Sequence, residues 1–216
     1  MQNIGGIANC TLLPANCGLP DVLAFDTGPG NMVIDGLVAR ITDGREACDR
    51  DSRIALSGNI DQRLLNDLLA QPYFSAPPPK TTGRELFGMA YVDELRAQAR
   101  ERCISDADLV ATATALTAES ILQAYRDFVF PRMQADEVIL GGGGAQNPFL
   151  VRLLQQGLPE RTQLLTHEDV GINSDAKEAI GFALLGWARI HNIPGNVPTA
   201  TGASHAVLLG KIYQAS

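Results

Sequence analysis

Cysteine is scarce in this 216-residue chain and badly placed for shared chemistry. Cys10, Cys17, Cys48 and Cys103 contain no C-x-x-C pair, so neither a zinc ribbon nor a redox dithiol is available, and buried, reduced thiols are the expectation. Only three histidines are present, His167, His191 and His205, and none falls in an E-x-x-H or H-x-x-x-H spacing, which leaves no metal site to predict. Basic residues are outnumbered, 17 against 24 acidic, for a net charge of -7. Such a surface has no footprint for a polyphosphate backbone, and nucleic acid is excluded as the expected partner. No apolar run approaches the ~18 residues that span a bilayer. The opening Met1-Gln2-Asn3-Ile4-Gly5-Gly6 lacks the basic and apolar regions of a secretory signal, so the cytoplasm is the expected compartment. G-x-x-x-x-G-K-[ST], a G-x-G-x-x-G in a β-α unit and G-x-S-x-G are all missing, which removes the P-loop, dinucleotide and acyl-nucleophile readings.

What is present is an ordinary globular composition, 45% hydrophobic and 19% charged, long enough to bury about 70% of the unfolded surface without crosslinks. The first forty residues predict a hairpin, a further strand and a helix. Ile7 to Leu13 and Val22 to Phe25 are apolar runs bounded by Gly5-Gly6 and by Asp26-Thr27-Gly28-Pro29-Gly30. A helix follows over Met32 to Arg40, with Asn31 as its N-cap. Residues 43–135 read as mainly helical. A helix spans Asp61 to Leu69, an extended stretch runs from Gln71-Pro72 through Pro77-Pro78-Pro79, and helices cover Arg84 to Arg102 and Asp106 to Phe130. In the last of these, Val110, Ala113, Thr117, Ile121, Ala124 and Phe128 keep helical spacing, and Ser105 with Asp108 resembles a capping box.

Beyond residue 135 the pattern alternates. Glu137 to Leu140 is a strand running into Gly141-Gly142-Gly143-Gly144, and Asn147 followed by Pro148 marks the next helix start. A strand at Gln163 to Thr166 follows. A last helix has Asp175 and Glu178 at its start and Ala176, Ile180, Ala183, Leu184 and Trp187 as its buried stripe. Strands alternating with helices predict an α/β fold, a mixed sheet with flanking helices.

Three glycine turns, at Gly5-Gly6, Gly28-Pro29-Gly30 and Gly141 to Gly144, offer backbone N–H groups that side chains would otherwise shield from an anion. Each alone is also an ordinary turn. Asp26 precedes the second turn, where a carboxylate would repel a bare phosphate. Its roles are therefore a base, a magnesium partner, or a cap of its own turn. Lys80-Thr81-Thr82-Gly83-Arg84-Glu85 gathers cations and hydroxyls that can bind a carboxylate or phosphate.

Taken in order, Asn3-Ile4-Gly5-Gly6-Ile7-Ala8-Asn9, Phe25 to Asn31, Pro79 to Glu85, Gly142 to Asn147 and Asp175-Ala176-Lys177-Glu178-Ala179 resemble the anhydro-N-acetylmuramic acid kinases, over essentially the whole chain. The resemblance implies a ribonuclease-H-like domain of the actin, hexokinase and Hsp70 ATPase type. It also implies an ATP-dependent, Mg²⁺-assisted kinase of cell-wall recycling, which hydrolyses the 1,6-anhydro bond of its amino sugar and phosphorylates O6. By the same resemblance Asp26 is the general base. Gly5, Gly6, Gly28, Gly30 and Asn31 border the phosphates and sugar, Gly142, Gly143, Gly144 and Asn147 the nucleotide, and Glu178 and Arg84 the sugar. The family's amino-terminal lobe, with a Gly-Thr-Ser-x-Asp-Gly loop that contacts ATP, has no counterpart here, so residues 1–216 correspond to the second lobe. That lobe would be completed in trans or within a homodimer. A non-catalytic nucleotide- or sugar-binding fragment, or one half of a split enzyme, is the alternative. With only Met1 and Gln2 ahead of Asn3, an inner strand is expected to lose pairing partners.

Overall fold

The computed structural model describes residues 1–174 and 176–213. Five strands form one sheet: β1 (Gln2–Ile4), β2 (Ile7–Leu12), β3 (Leu23–Pro29), β4 (Glu137–Gly141) and β5 (Gln163–Thr166). Their order is β3-β2-β1-β4-β5. β2 runs opposite to its neighbours β1 and β3, while β4 lies parallel to β1 and β5 parallel to β4. A single reversed strand second from the edge is the sheet of a ribonuclease-H-like domain, as expected from the sequence. β1 keeps a neighbour on each side: Gln2 pairs with Cys10 and Leu140, and Asn3 with Asn9 and Gly141. The predicted loss of partners therefore does not occur at these residues.

The helices are α1 (Asn31–Ile41), α2 (Arg53–Ser57), α3 (Gln62–Leu69), α4 (Pro72–Ser75), α5 (Arg84–Phe87), α6 (Met89–Glu101), α7 (Asp106–Ala124), α8 (Pro148–Gly157), α9 (Lys177–Ile190) and α10 (Pro198–Thr201). None is long and apolar enough to cross a membrane. α7 is the axis of the molecule and is buried nearly all round, from Leu109 to Ala124. Its Ala and Thr residues let neighbours approach from every side, and the hydroxyls are satisfied locally. Thr112 and Thr114 donate to the carbonyls of Asp108 (2.7 Å) and Val110 (2.9 Å). The first half of α7 packs with Phe74, Phe87, Leu64 and Val33 in a helical core. Its second half packs with Ile4, Phe25, Leu140 and Leu150 against the sheet. One helix thus joins two cores, and a final π turn at Tyr125–Val129 carries Phe128 under Phe25.

Several boundaries differ from the sequence reading for identifiable reasons. Gly30 is the N-cap of α1 and Asn31 its first residue, because backbone carbonyls, and no side chain, meet the first N–H groups. Pro72 opens a helical turn, as proline's fixed φ permits at a first position. The helix predicted from Arg84 is broken at Gly88, where the chain is extended. Ser105 does cap α7, accepting from the Asp108 N–H at 3.1 Å. The predicted stripe of α9 is not buried: Ile180, Leu184 and Trp187 are about half exposed or more, and Phe182 and Ile190 stand out at 74% and 68%. Nothing among the described residues covers that face. Asp175, read as a helix start, lies outside the described residues. Of the four free thiols only Cys10 is buried, against the expectation of buried cysteines generally.

Because Leu116 is fully buried where the helical core closes on α7, Leu116→Ala is expected to cost about 2–5 kcal/mol. Urea unfolding followed by circular dichroism would measure this as a lower midpoint with an unchanged slope.

Candidate functional site

The glycine corners meet at one end of the sheet. β3 turns into α1 through Gly30, whose N–H donates to the Gly6 carbonyl at 2.9 Å, while Asn31 and Met32 donate to Gly5 (2.7 Å) and Gly6 (3.1 Å). A side chain at Gly30 would overlap the Gly5 carbonyl oxygen, so only glycine permits this approach. From below, the Thr117 hydroxyl of α7 donates to the Gly30 carbonyl at 3.0 Å. The N–H groups expected to face an anion at Gly30 and Asn31 are therefore committed to carbonyls.

The β4–α8 corner lies across the same region. Gly142 has φ of 78°, open to glycine and costly for other residues. A Cβ there would come 2.6 Å from the Ile4 carbonyl and 3.2 Å from Asn3 Oδ1. The equivalent atom at Gly143 would stand 3.2 Å from Asn31 Nδ2, and at Gly144 3.2 Å from Asn31 Oδ1. Asn31 is thus the point where the corners touch. Lys177, at the start of α9, donates to Asn3 Oδ1 at 2.9 Å and brings a cation to this end. His167, buried, fills the space that Gly141 leaves open, and burial lowers its pKa.

Beside Asn31 is a cavity of about 240 Å³ lined by Asp35, Arg50, Asp51, Gly143, Gln146 and Asn147 among others. Asn147 does not aim its oxygen into it: Oδ1 accepts from the Leu150 N–H (2.8 Å) and from Ser52 Oγ (2.6 Å). Asp51 and Ser52 are consecutive non-glycine residues with φ of 54° and 56°, a costly conformation. It is held in place by the Asp49 carboxylate, which accepts from Ile54 and Ala55 N–H at 2.8 and 2.9 Å. Burial raises the Asp35 carboxyl from 3.8 to about 6.

Asp26 sits on edge strand β3, opposite Asn9. Its Oδ2 accepts from the Thr81 hydroxyl at 2.7 Å and the Thr82 N–H at 2.9 Å, and its own N–H donates to the Lys80 carbonyl at 3.0 Å. The loop that the sequence marks as able to bind a carboxylate binds this one. Lys80 is spent otherwise: its ammonium donates to the Tyr73 and Phe74 carbonyls and stands over the rings of Tyr73 and Phe128. The Tyr73 hydroxyl completes the clamp by donating to the Asp26 carbonyl at 2.7 Å. The second carboxylate oxygen, Oδ1, has no hydrogen bond among the described residues, and the buried Thr82 hydroxyl has no partner there either. A carboxylate oriented through one oxygen with the other uncommitted can accept a proton.

The structure therefore groups Gly5, Gly6, Gly28, Gly30, Asn31, Gly142, Gly143 and Gly144 at one end, with Asp26 two residues ahead of Gly28. Arg84 and Glu178 are exposed at the starts of α5 and α9, and their side chains make no hydrogen bond among the described residues. Sequence reasoning gave no role to Lys177, whose signal lay inside a quoted motif, or to Asp35, which is half-buried.

Comparison with known proteins gives a consistent picture. The family model described as anhydro-N-acetylmuramic acid kinase matches residues 1–215. Proteins of that name from Caldanaerobacter subterraneus, Microcystis aeruginosa and Clostridioides difficile are 50%, 47% and 42% identical over 98%, 99% and 98% of this chain. The chain spans about half the length of these relatives, 53%, 57% and 54%. Among solved structures, the activator of the 2-hydroxyisocaproyl-CoA dehydratase from Clostridium difficile with bound ADPNP aligns over 76% of this chain and 52% of its own, with a TM-score of 0.46 at 16% identity.

The Asp35 shift makes a signed prediction. The folded carboxyl holds its proton up to about pH 6 and the unfolded one only to about 3.8, so the native state is penalised as pH rises through that window. Asp35→Asn lacks the penalty. Thermal melts across the window should show the wild type losing stability relative to Asp35→Asn as pH rises; a constant difference would refute the buried-carboxyl assignment.

Proposed function

The chain belongs to the anhydro-N-acetylmuramic acid kinase family, and from that premise we propose that it forms the carboxyl-terminal lobe of an ATP-dependent kinase of cell-wall recycling, acting in the cytoplasm. In the proposed reaction water adds to C1 of anhydro-N-acetylmuramic acid as the C1–O6 bond breaks. O6 takes the γ-phosphoryl group of ATP, giving N-acetylmuramic acid 6-phosphate and ADP. The supporting observation is the Asp26 carboxylate, fixed through Oδ2 by Thr81 and Thr82 with Oδ1 uncommitted. Asp26 would accept the water's proton at Oδ1, while the clamp on its other oxygen keeps the carboxylate from rotating away. Positioning of this kind is the larger part of catalysis in phosphoryl transfer.

The glycine corners suit a nucleotide tail, since each lacks a side chain where the backbone turns and Lys177 supplies positive charge nearby. Gly5, Gly6, Gly28, Gly30 and Asn31 would border the phosphates and sugar, and Gly142 to Gly144 the nucleotide. Asn147 would act by holding the start of α8. No group of three His, Cys, Asp or Glu side chains among the described residues is placed to hold a metal. Mg²⁺ would accordingly bind through phosphate oxygens and water with at most one or two carboxylates, its usual manner, and there neutralise phosphate charge. Arg84 and Glu178, exposed beside the site, are assigned to the sugar or to contact with the other lobe.

A second reading has support of its own. The N–H groups at the start of α1 are already bonded to Gly5 and Gly6, and the chain covers about half of its relatives. Alone it would be a nucleotide- or sugar-binding half, completed in trans or in a homodimer.

Both readings are separated by joining the chain to the remaining half of the Caldanaerobacter subterraneus relative and measuring sugar 6-phosphate formation with and without that half. Turnover is expected only in the joined protein, and Asp26→Asn there should lower kcat by roughly 10² to 10⁴ with a similar melting temperature. Full activity in Asp26→Asn would remove the base assignment.

A further inference from the structure

The chain from Pro72 to Thr82 crosses the end of β3 as a strap and touches it at three places. The Tyr73 hydroxyl donates to the Asp26 carbonyl at 2.7 Å, and the Phe74 ring lies so close to Gly28 that a Cβ there would come within 2.8 Å of it. At the far end of the strap the Lys80 carbonyl accepts the Asp26 N–H at 3.0 Å, and Thr81 and Thr82 hold Oδ2. Between these ends stand Ala76 and Pro77-Pro78-Pro79. Prolines have no N–H to donate, and no helix or strand covers residues 76–83. This part of the strap has no regular ladder of its own to fix its curvature.

Lys80 supplies the missing tie. Its ammonium reaches back across the prolines to the carbonyls of Tyr73 and Phe74, at 3.1 and 2.9 Å, which lie at the end of α4, where helix carbonyls need partners from outside the helix. The same ammonium stands 4.8 Å from the centroid of the Tyr73 ring and 5.0 Å from that of Phe128, within the range of cation–π attraction. Phe128 in turn meets Phe25, the residue next to Asp26, edge to face at 5.9 Å. One charge thus closes the strap on itself and seats it against the turn that ends α7. A lysine serving only solubility keeps its ammonium in water. This one is half-buried, and burial lowers its pKa against the opposing pull of Asp127. With two carbonyls and two rings around it, the ammonium is committed to the protein and is not free to grip a phosphate.

We propose that Lys80 is a positioning residue of the proposed reaction: by closing the strap it sets Thr81 and Thr82, and through them the direction in which Asp26 presents Oδ1 to water. The assignment rests on the reading of Asp26 as the base. It places Lys80 on neither sugar nor nucleotide, so loss of the ammonium should act on the chemical step and leave binding alone. A carboxylate turned away from its water lowers rate without lowering affinity, and a displacement near 1 Å can cost about 10² in turnover.

In the joined protein, Lys80→Met, which keeps the stem and removes the charge, should lower kcat by roughly 10- to 100-fold, with the KM for sugar and for ATP within about twofold of the wild type. Lys80→Gln serves in its place if Lys80→Met does not fold. Thr81→Val, at an exposed position, should reproduce the loss, and Lys80→Arg should recover most of it. The deciding measurement combines two substitutions: if Lys80 acts through Asp26, Lys80→Met placed on Asp26→Asn lowers kcat no further, whereas a general structural role lowers it again. In the 216-residue chain, where no turnover is needed, amide exchange at Asp26 and Thr82 should be at least about tenfold faster in Lys80→Met, with exchange along α7 unchanged. Unchanged kcat in Lys80→Met or Thr81→Val, a rise in KM as large as the fall in kcat, additive losses in the double variant, or unchanged exchange at Asp26 and Thr82 would each overturn the proposal. Turnover absent from the wild-type joined protein would refute the kinase reading, and the exchange measurement alone would then decide whether Lys80 holds the carboxylate.

Discussion

Two glycine carbonyls hold together the glycine-rich end of this sheet. Those of Gly5 and Gly6 accept three N–H groups from Gly30, Asn31 and Met32, so the hairpin turn between β1 and β2 is also the cap of α1. Helix starts need partners for their first N–H groups, and a side-chain cap would have satisfied one of them without fixing a neighbouring turn. Here the cap ties two segments that are remote in sequence, and it exists only because residue 30 carries no Cβ. Thr117 extends the tie to α7, and through Asn31 the β4–α8 corner is seated on it as well. The positions of all three corners follow from this contact.

The order of strands and helices was readable in the sequence because it rests on local signals. Asn147 and Ser105 are caps in fact as in pattern, and the apolar runs became strands. The convergence of the corners was legible only through the ordered motifs, since no local rule brings Gly30 onto Gly5. What escaped was whatever depended on distant partners. Lys80 looked like a free cation and is bound to carbonyls and rings of its own neighbourhood. Asn31 looked like a cap and is a spacer between corners. The N–H groups offered by the Gly28 to Gly30 turn looked available and were taken by carbonyls from another turn. The stripe of α9 has the right period for burial, but periodicity states which face is apolar and says nothing of what will cover it.

The apolar face of α9 is open among the described residues, with Phe182 and Ile190 exposed at 74% and 68%. Large exposed apolar faces are liabilities in an isolated molecule. The clamp around Asp26 has a different character, closed entirely by residues 73 to 82. The orientation of this carboxylate is therefore set by one short stretch of the chain.

α9 also carries the sole tryptophan of the chain, Trp187, 54% exposed and stacked on His191 at 4.3 Å between ring centroids. An indole in water emits at longer wavelength than one in an apolar interface. The fold has thereby placed a single built-in fluorophore in the last turn of its barest helix, where its colour registers the arrival of a covering surface.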